Sequence, residues 1–167
     1  MEIRSGGLED SRVLDLLEIH LCNARTETAP GSAHALDLDG LKRSDVDFWS
    51  IWEGEELLGM GALKQLSPDH CEVKSMHTLR TQRRRGIGST LLRHIIAAAR
   101  DRGATRLSLE TGTWDYFRPA IELYRKHGFT ECEPFADYVL DPNSLFMTLY
   151  LDSGSRREIR ASAGMTE

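Results

Sequence analysis

The stretch CEVKSMHTLRTQRRRGIGSTLLRHIIAAA, from Cys71 to Ala99, constrains this chain more than any other. Its first third alternates imperfectly: Val73, Met76 and Leu79 are apolar and Thr78 is β-branched, with polar residues between them. That pattern predicts a strand. Its last third places Ile87, Leu91, Leu92, Ile95, Ile96 and Ala99 at spacings of three and four, one apolar stripe of an amphipathic helix. Gly103 then stands where a left-handed helix end is expected. Between strand and helix runs Arg83-Arg84-Arg85-Gly86-Ile87-Gly88-Ser89-Thr90. A turn entering a helix start presents unpaired backbone N–H groups and the positive end of the helix dipole. Glycines let that backbone approach a bulky anion, and arginines and hydroxyls add charge and donors. The run reads as a phosphate or diphosphate cradle, or more plainly as a tight turn with solvated arginines. A dinucleotide fingerprint would need a small residue where Leu91 stands, and no GxxxxGK[ST] run exists.

About thirty residues on lies Ala120-Ile121-Glu122-Leu123-Tyr124-Arg125-Lys126-His127-Gly128-Phe129. Arg83-x-x-Gly86-x-Gly88 fits the [RQ]xxGx[GA] signature, and the second segment the AxxLYxKxGF motif, of the GNAT superfamily of N-acetyltransferases. The chain therefore resembles that family from about residue 2 to 151, in particular its small bacterial members of unassigned acceptor. The resemblance implies an α/β fold: a mixed, mostly antiparallel sheet of six to seven strands with helices on both faces, splayed between strands 4 and 5 to admit acetyl-CoA. One domain over 1–151 and a polar tail over 152–167 are expected.

The remaining chain fits that plan. Residues 1–4 suit a strand, 8–25 a helix on the face of Val13, Leu14 and Leu17, and 36–42 a short helix. Residues 47–53 and 56–66 suit a hairpin around Glu53-Gly54-Glu55, in which Gly59 and Gly61 mark a bulge or a close backbone approach. A strand over 105–110, a loop over 111–115, a helix over 116–127, a strand from Phe129 and a last strand over 144–151 follow.

By the same resemblance, backbone groups of Met76, His77 and Thr78 and the turn Arg83, Arg84, Arg85, Gly86, Ile87, Gly88 and Ser89 bind acetyl-CoA, with the Met76 N–H toward the thioester carbonyl. Glu72 falls where the histone-acetylating members carry their catalytic glutamate. In a regular strand it shares a face with Met76 and Thr78. Glu72 is the expected base, Glu110 its alternative, and structural pairing of Glu72 with an arginine of 83–85 the plain reading. Tyr124 occupies the position of the acid that protonates the departing thiolate, or is a core tyrosine. Many members have Asn where Phe117 stands, so either another group such as Thr111 or Thr113 makes that cofactor contact or it is absent. His34, Glu110 and Thr111 are expected around the acceptor, walled by 26–41, 110–117 and 133–143. Asp37, Asp39, Glu110, Asp115 and Asp141 would suit a cationic amine.

Lys+Arg 21 against Asp+Glu 26 gives a net charge of −5, which speaks against nucleic acid or membrane partners. The N-terminus lacks an apolar signal segment and no run approaches membrane-spanning length. Cys22, Cys71 and Cys132 form no CxxC pair and read as reduced, mostly buried thiols of a cytoplasmic protein. The six histidines show no metal spacing, so no metal is expected. The expected activity is transfer of acetyl from acetyl-CoA to a primary amine of a small molecule. The alternatives are a non-catalytic acyl-CoA-binding regulatory module, another acyl donor, or a protein amine. A homodimer fits this plan.

Overall fold

A computed structural model describes residues 1–79 and 86–151. Its order is β1 (Glu2–Ser5), α1 (Ser11–Thr26), α2 (Leu38–Leu41), β2 (Val46–Glu53), β3 (Glu56–Ser67), β4 (His70–Thr78), α3 (Ile87–Asp101), β5 (Arg106–Gly112), a 3-10 turn over Asp115–Phe117, α4 (Arg118–Lys126), β6 (Thr130–Glu131) and β7 (Ser144–Tyr150). One seven-stranded sheet runs β1-β2-β3-β4-β5-β7-β6, with every neighbour antiparallel except β4 and β5. The expected splay is present: β4 and β5 pair at His70–Arg106, Cys71–Leu107 and Glu72–Ser108 only, although both strands continue beyond.

Each face of the sheet carries its own core: side chains alternate along β2, while on β3 the register shift at Ile51/Trp52 puts Leu58 and Met60, two apart, on opposite faces. On β2 and β3, Trp49, Ile51, Leu58 and Leu63 pack with α3, while Phe48, Trp52, Leu57 and Met60 pack with Val13, Leu16 and Leu17 of α1. The α3 stripe is buried as its spacing requires, from Ile87 through Ala99. At α1 the start differs from expectation: the helix begins at Ser11, because the Asp10 carboxylate caps it by accepting from the Arg12 N–H at 2.8 Å. Asp10 thus stands before the first turn and not within it. β5 also extends through Thr111 and Gly112, which were expected in a loop, because both pair with β7 at Leu145 and Ser144. The helix expected from residue 116 starts at Arg118, after the 3-10 turn.

A second correction bears on the site. β4 is not regular. Ala62 pairs with Lys74 and Met60 with His77, so β4 spends one residue more than β3, and Ser75 takes a left-handed φ of 58°. Val73 and Met76, three apart, consequently both pack toward α3, so Glu72 and Met76 face opposite sides of the sheet. The partner strand accommodates the bulge with glycine: a Cβ on Gly61 would stand 2.9 Å from Ile95 Cδ1 and 3.0 Å from Met76 Sδ, and one on Gly59 2.8 Å from the His77 carbonyl. Of the three thiols, Cys71 is buried, but Cys22 lies on the exposed side of α1 and Cys132 is half-buried.

Candidate active site

Where β4 and β5 part, a cleft of about 650 Å³ opens between the two cores. One end is made by Gly86 to Ser89 at the start of α3. Gly86 holds φ 75°, which turns the chain into the helix without a side chain over its first N–H groups. Leu123 packs 3.0 Å from where a Gly88 Cβ would be. Met76, His77 and Thr78 line the cleft beside this turn, as does Thr111. Arg83, Arg84 and Arg85 lie outside the described residues. The Phe117 ring lies on the Gly112 backbone, so close that a Gly112 Cβ would fall 2.2 Å from its Cε2.

This end fits a CoA thioester. The helix start offers unsatisfied donors for a diphosphate, and the parted strands leave backbone edges for a chain of amides.

Deeper in, Glu110 and Tyr124 both line the cleft. Glu110 lies on the face of β5 opposite Leu107 and Leu109, and its partial burial raises its carboxyl above the ordinary 4.5, with Glu72 adding to the effect. Burial and the nearby Glu110 charge push the Tyr124 phenol up, so it stays protonated at neutral pH.

Glu72 is not among the lining residues. Its carboxylate is 3% exposed, accepts a 2.5 Å hydrogen bond from the Tyr138 hydroxyl and pairs with Lys74 Nζ at 3.4 Å. Lys74 does line the cleft, and its ammonium also donates to Tyr138 Oη at 2.9 Å and to the His34 carbonyl at 3.0 Å. His34 in turn stacks edge-on with Tyr138, and Ser32 donates to Asp141 at 2.6 Å. The 133–143 segment therefore acts from behind Lys74, not as a lining wall. Of the five carboxylates expected to make the pocket acidic, only Glu110 lines it; Asp141 holds Ser32, and Asp37 caps α2.

On the α1 side, His20 and His77 share a hydrogen bond between Nδ1 atoms 3.0 Å apart. Burial, with His77 and Lys74 nearby, lowers the His20 pKa from 6.5 to about 4. A histidine kept neutral by folding stabilises the fold above its unfolded pKa and loses that contribution as pH falls toward the folded value. Urea-unfolding stability should therefore drop between pH 6.5 and about 4, by up to about 3 kcal/mol from this group, and His20→Asn should flatten that slope. An unchanged slope in the variant would remove His20 from the account.

Tyr138 and Lys74 were not expected in the site. Both act across more than 35 positions of sequence, which periodicity does not read, and Tyr138 sits in an irregular loop. Among the described residues no cluster of three or more His, Cys, Asp or Glu side chains could hold a metal ion, and no helix is long and apolar enough to cross a membrane.

The acetyltransferase (GNAT) family profile matches residues 14–129. An uncharacterized N-acetyltransferase, YedL of Escherichia coli, is 49% identical over 89% of this chain and 94% of its own length. YsnE of Bacillus subtilis, also an uncharacterized N-acetyltransferase, is 48% identical over 89% of this chain and 98% of its own. A Klebsiella pneumoniae crystal structure, described as an acyl-CoA N-acyltransferase, superposes with a TM-score of 0.75 at 30% identity, over 90% of this chain and 97% of that one.

Proposed function

The chain belongs to the GNAT family of N-acetyltransferases, and from that premise we propose that it transfers acetyl from acetyl-CoA directly to a primary amine of a small molecule in the cytoplasm. The observation that carries the reading is that Glu110 and Tyr124 line one cleft with the Gly86–Ser89 turn. Bound acetyl-CoA supplies an activated acyl carbon. Gly86 to Ser89 hold its diphosphate with backbone N–H groups, and the β4 backbone through Met76, His77 and Thr78 holds its amide arm. Glu110 removes the proton of the incoming ammonium, leaving the lone pair free to attack. As the C–S bond breaks, Tyr124 gives its hydroxyl proton to the departing sulfur and is restored by the second proton that the nitrogen sheds in becoming an amide. Glu72 takes a supporting role: with Tyr138 it fixes Lys74, and Lys74 fixes the loop carrying His34. Closure of the acceptor end by these contacts, and by the 3.0 Å bond from Asn23 to Tyr116, supports a small acceptor over a protein.

Calorimetric titration with acetyl-CoA, beside a thiol-release assay over small amines, tests the reading. Micromolar uptake with release is expected; uptake without release for any amine would favour a regulatory binder. A base must be ionised to act, so kcat/KM should fall as pH drops through the raised Glu110 value, giving an acid limb above 4.5. Glu110→Gln should remove that limb. A limb that survives in the variant belongs to another group.

A further inference from the structure

One buried hydroxyl beside the proposed base has no task in the chemistry above. Ser144 Oγ is buried and makes no hydrogen bond of ordinary geometry among the described residues. A buried hydroxyl without a partner costs stability, so its neighbours decide what it is for. In the β5–β7 register Glu110 stands opposite Phe146 and Gly112 opposite Ser144, which makes Glu110 and Ser144 diagonal neighbours on one face of the sheet. Such neighbours lie within reach of a side chain as long as glutamate. Gly112, opposite the serine, carries no side chain, and the Phe117 ring lies over its backbone.

The titratable groups around Glu110 come from four elements. Glu72 and Lys74 stand on β4, His34 in loop 27–37, Tyr124 on α4 and Tyr138 in loop 133–143. Burial raises the Glu110 carboxyl. The Ser144 hydroxyl opposes that rise most strongly, ahead of His34 and Lys74, while Glu72 adds to it. Ser144 is itself held in place: its N–H donates to the Asp141 carbonyl at 3.0 Å. The Asp141 carboxylate in turn accepts from the Asn143 N–H at 2.8 Å and from Ser32 at 2.6 Å. The turn that starts β7 is therefore clamped to the loop across the acceptor end.

Resting on the reading of Glu110 as the base, we propose that Ser144 is a positioning residue for acetyl transfer: its hydroxyl donates to the Glu110 carboxylate and holds it toward the incoming amine. A small rotation of either side chain brings the pair into ordinary hydrogen-bond geometry. The bond is strongest to the ionised carboxylate, the form that can take a proton, and weaker once the proton is on. The donor thus does two things. It keeps a half-buried carboxyl ionised at a lower pH than burial alone would permit. It also fixes one orientation of a side chain that would otherwise turn freely, so that the base meets the amine in line.

The test follows the Glu110 carboxyl directly. In the purified chain, isotopically labelled at the glutamate side-chain carboxyls, the Glu110 resonance is assigned by its loss in Glu110→Gln and titrated by NMR without any substrate. Ser144→Ala should raise its midpoint by about one pH unit, the size expected when a carboxylate loses one hydrogen bond. Ser144→Thr keeps the hydroxyl, suits a strand, and should restore the midpoint. The acid limb of kcat/KM, measured by thiol release with the best amine, should move to higher pH by the same amount, because the base acts only when ionised. On the plateau above the limb, Ser144→Ala should lose about tenfold in kcat. Its acetyl-CoA affinity by calorimetry should match that of the parent chain, which also reports that the variant is folded. A serine that serves only to build β7 would lower stability and leave the midpoint and the limb where they are. That result, or a threonine variant that titrates like the alanine one, would overturn the proposal. A limb that persists in Glu110→Gln would overturn the reading of Glu110 as base. A limb lost there but unmoved in Ser144→Ala would overturn the present proposal alone.

Discussion

Glu110→Gln lowers kcat by roughly 10²- to 10⁴-fold, the range that a positioned general base supplies, and leaves acetyl-CoA affinity close to that of the parent chain. Glutamine keeps the volume and one hydrogen-bonding oxygen of the glutamate, so the β5–β7 pairing that positions residue 110 against Phe146 is undisturbed. What it loses is the capacity to take a proton. The affinity should survive because the groups assigned to the cofactor are backbone groups of β4 and of the start of α3, on other elements. The informative comparison is Glu72→Gln. Glu72 lies behind Lys74 with its side chain 3% exposed, in contact with Tyr138 and not with the cleft. Its replacement should cost less than tenfold in kcat and raise the acceptor KM as Lys74 loosens. Pre-steady-state thiol release with both variants decides the matter. If Glu72→Gln loses the larger factor and Glu110→Gln turns over normally, the base is Glu72 and the cleft must open to reach it.

Much of this arrangement is written in local sequence. The two motifs and the 3.6-residue stripe of α3 give the fold, the splay and the position of the glycine turn into α3, because each depends on a contiguous run of residues. Gly59 even announces that a backbone comes close, and the His77 carbonyl of β4 does press against it, while Gly61 makes room for the Ile95 and Met76 side chains. What they do not announce is its consequence. A bulge adds one residue to β4 and reverses every side chain after it, so counting by twos from Glu72 leads to the wrong face at Met76.

The irregular stretches were illegible for a different reason. Loops 27–37 and 133–143 carry no periodicity, and their roles are set by partners that strand order brings near. Tyr138 reaches Glu72 across 66 positions, and Ser32 reaches Asp141 across 109. The carboxylates of these loops looked like substrate ligands because loops at such clefts are often functional. Asp141 instead accepts from Ser32 and from the Asn143 N–H, contacts that hold its carboxyl below the ordinary range. The acidic residues of the loops shape the walls; the cleft is lined by Glu122 and Lys126 of α4 and, from the sheet, by Glu110 and by Lys74, whose ammonium is held by Glu72.

That ammonium carries the second large expectation. Lys74→Met should lower stability by about 3–5 kcal/mol, the usual cost of leaving a buried charge without its partner. For a chain of 167 residues this corresponds to a fall of roughly 10 °C in Tm. Methionine fills most of the volume of the lysine stem, so the loss reports the charge and its three hydrogen bonds and not a cavity. The sign of the pH dependence follows. An unpaired buried carboxylate is relieved by taking a proton, so the variant should lose more at about pH 8 than at about pH 5. Adding Glu72→Gln removes the stranded charge while keeping an oxygen for the Tyr138 hydroxyl, and the double variant should recover at least half of the loss. Thermal unfolding of the four proteins of this cycle measures it directly. Additive losses would mean that Glu72 and Lys74 stabilise the sheet separately. The strong coupling expected here would mean that one buried ion pair, Glu72 with Lys74 on β4, anchors both loops that close the acceptor end. The KM for the acceptor should then remain high in the double variant even as stability returns, because the His34 carbonyl and the Tyr138 hydroxyl still lack the ammonium that holds them together.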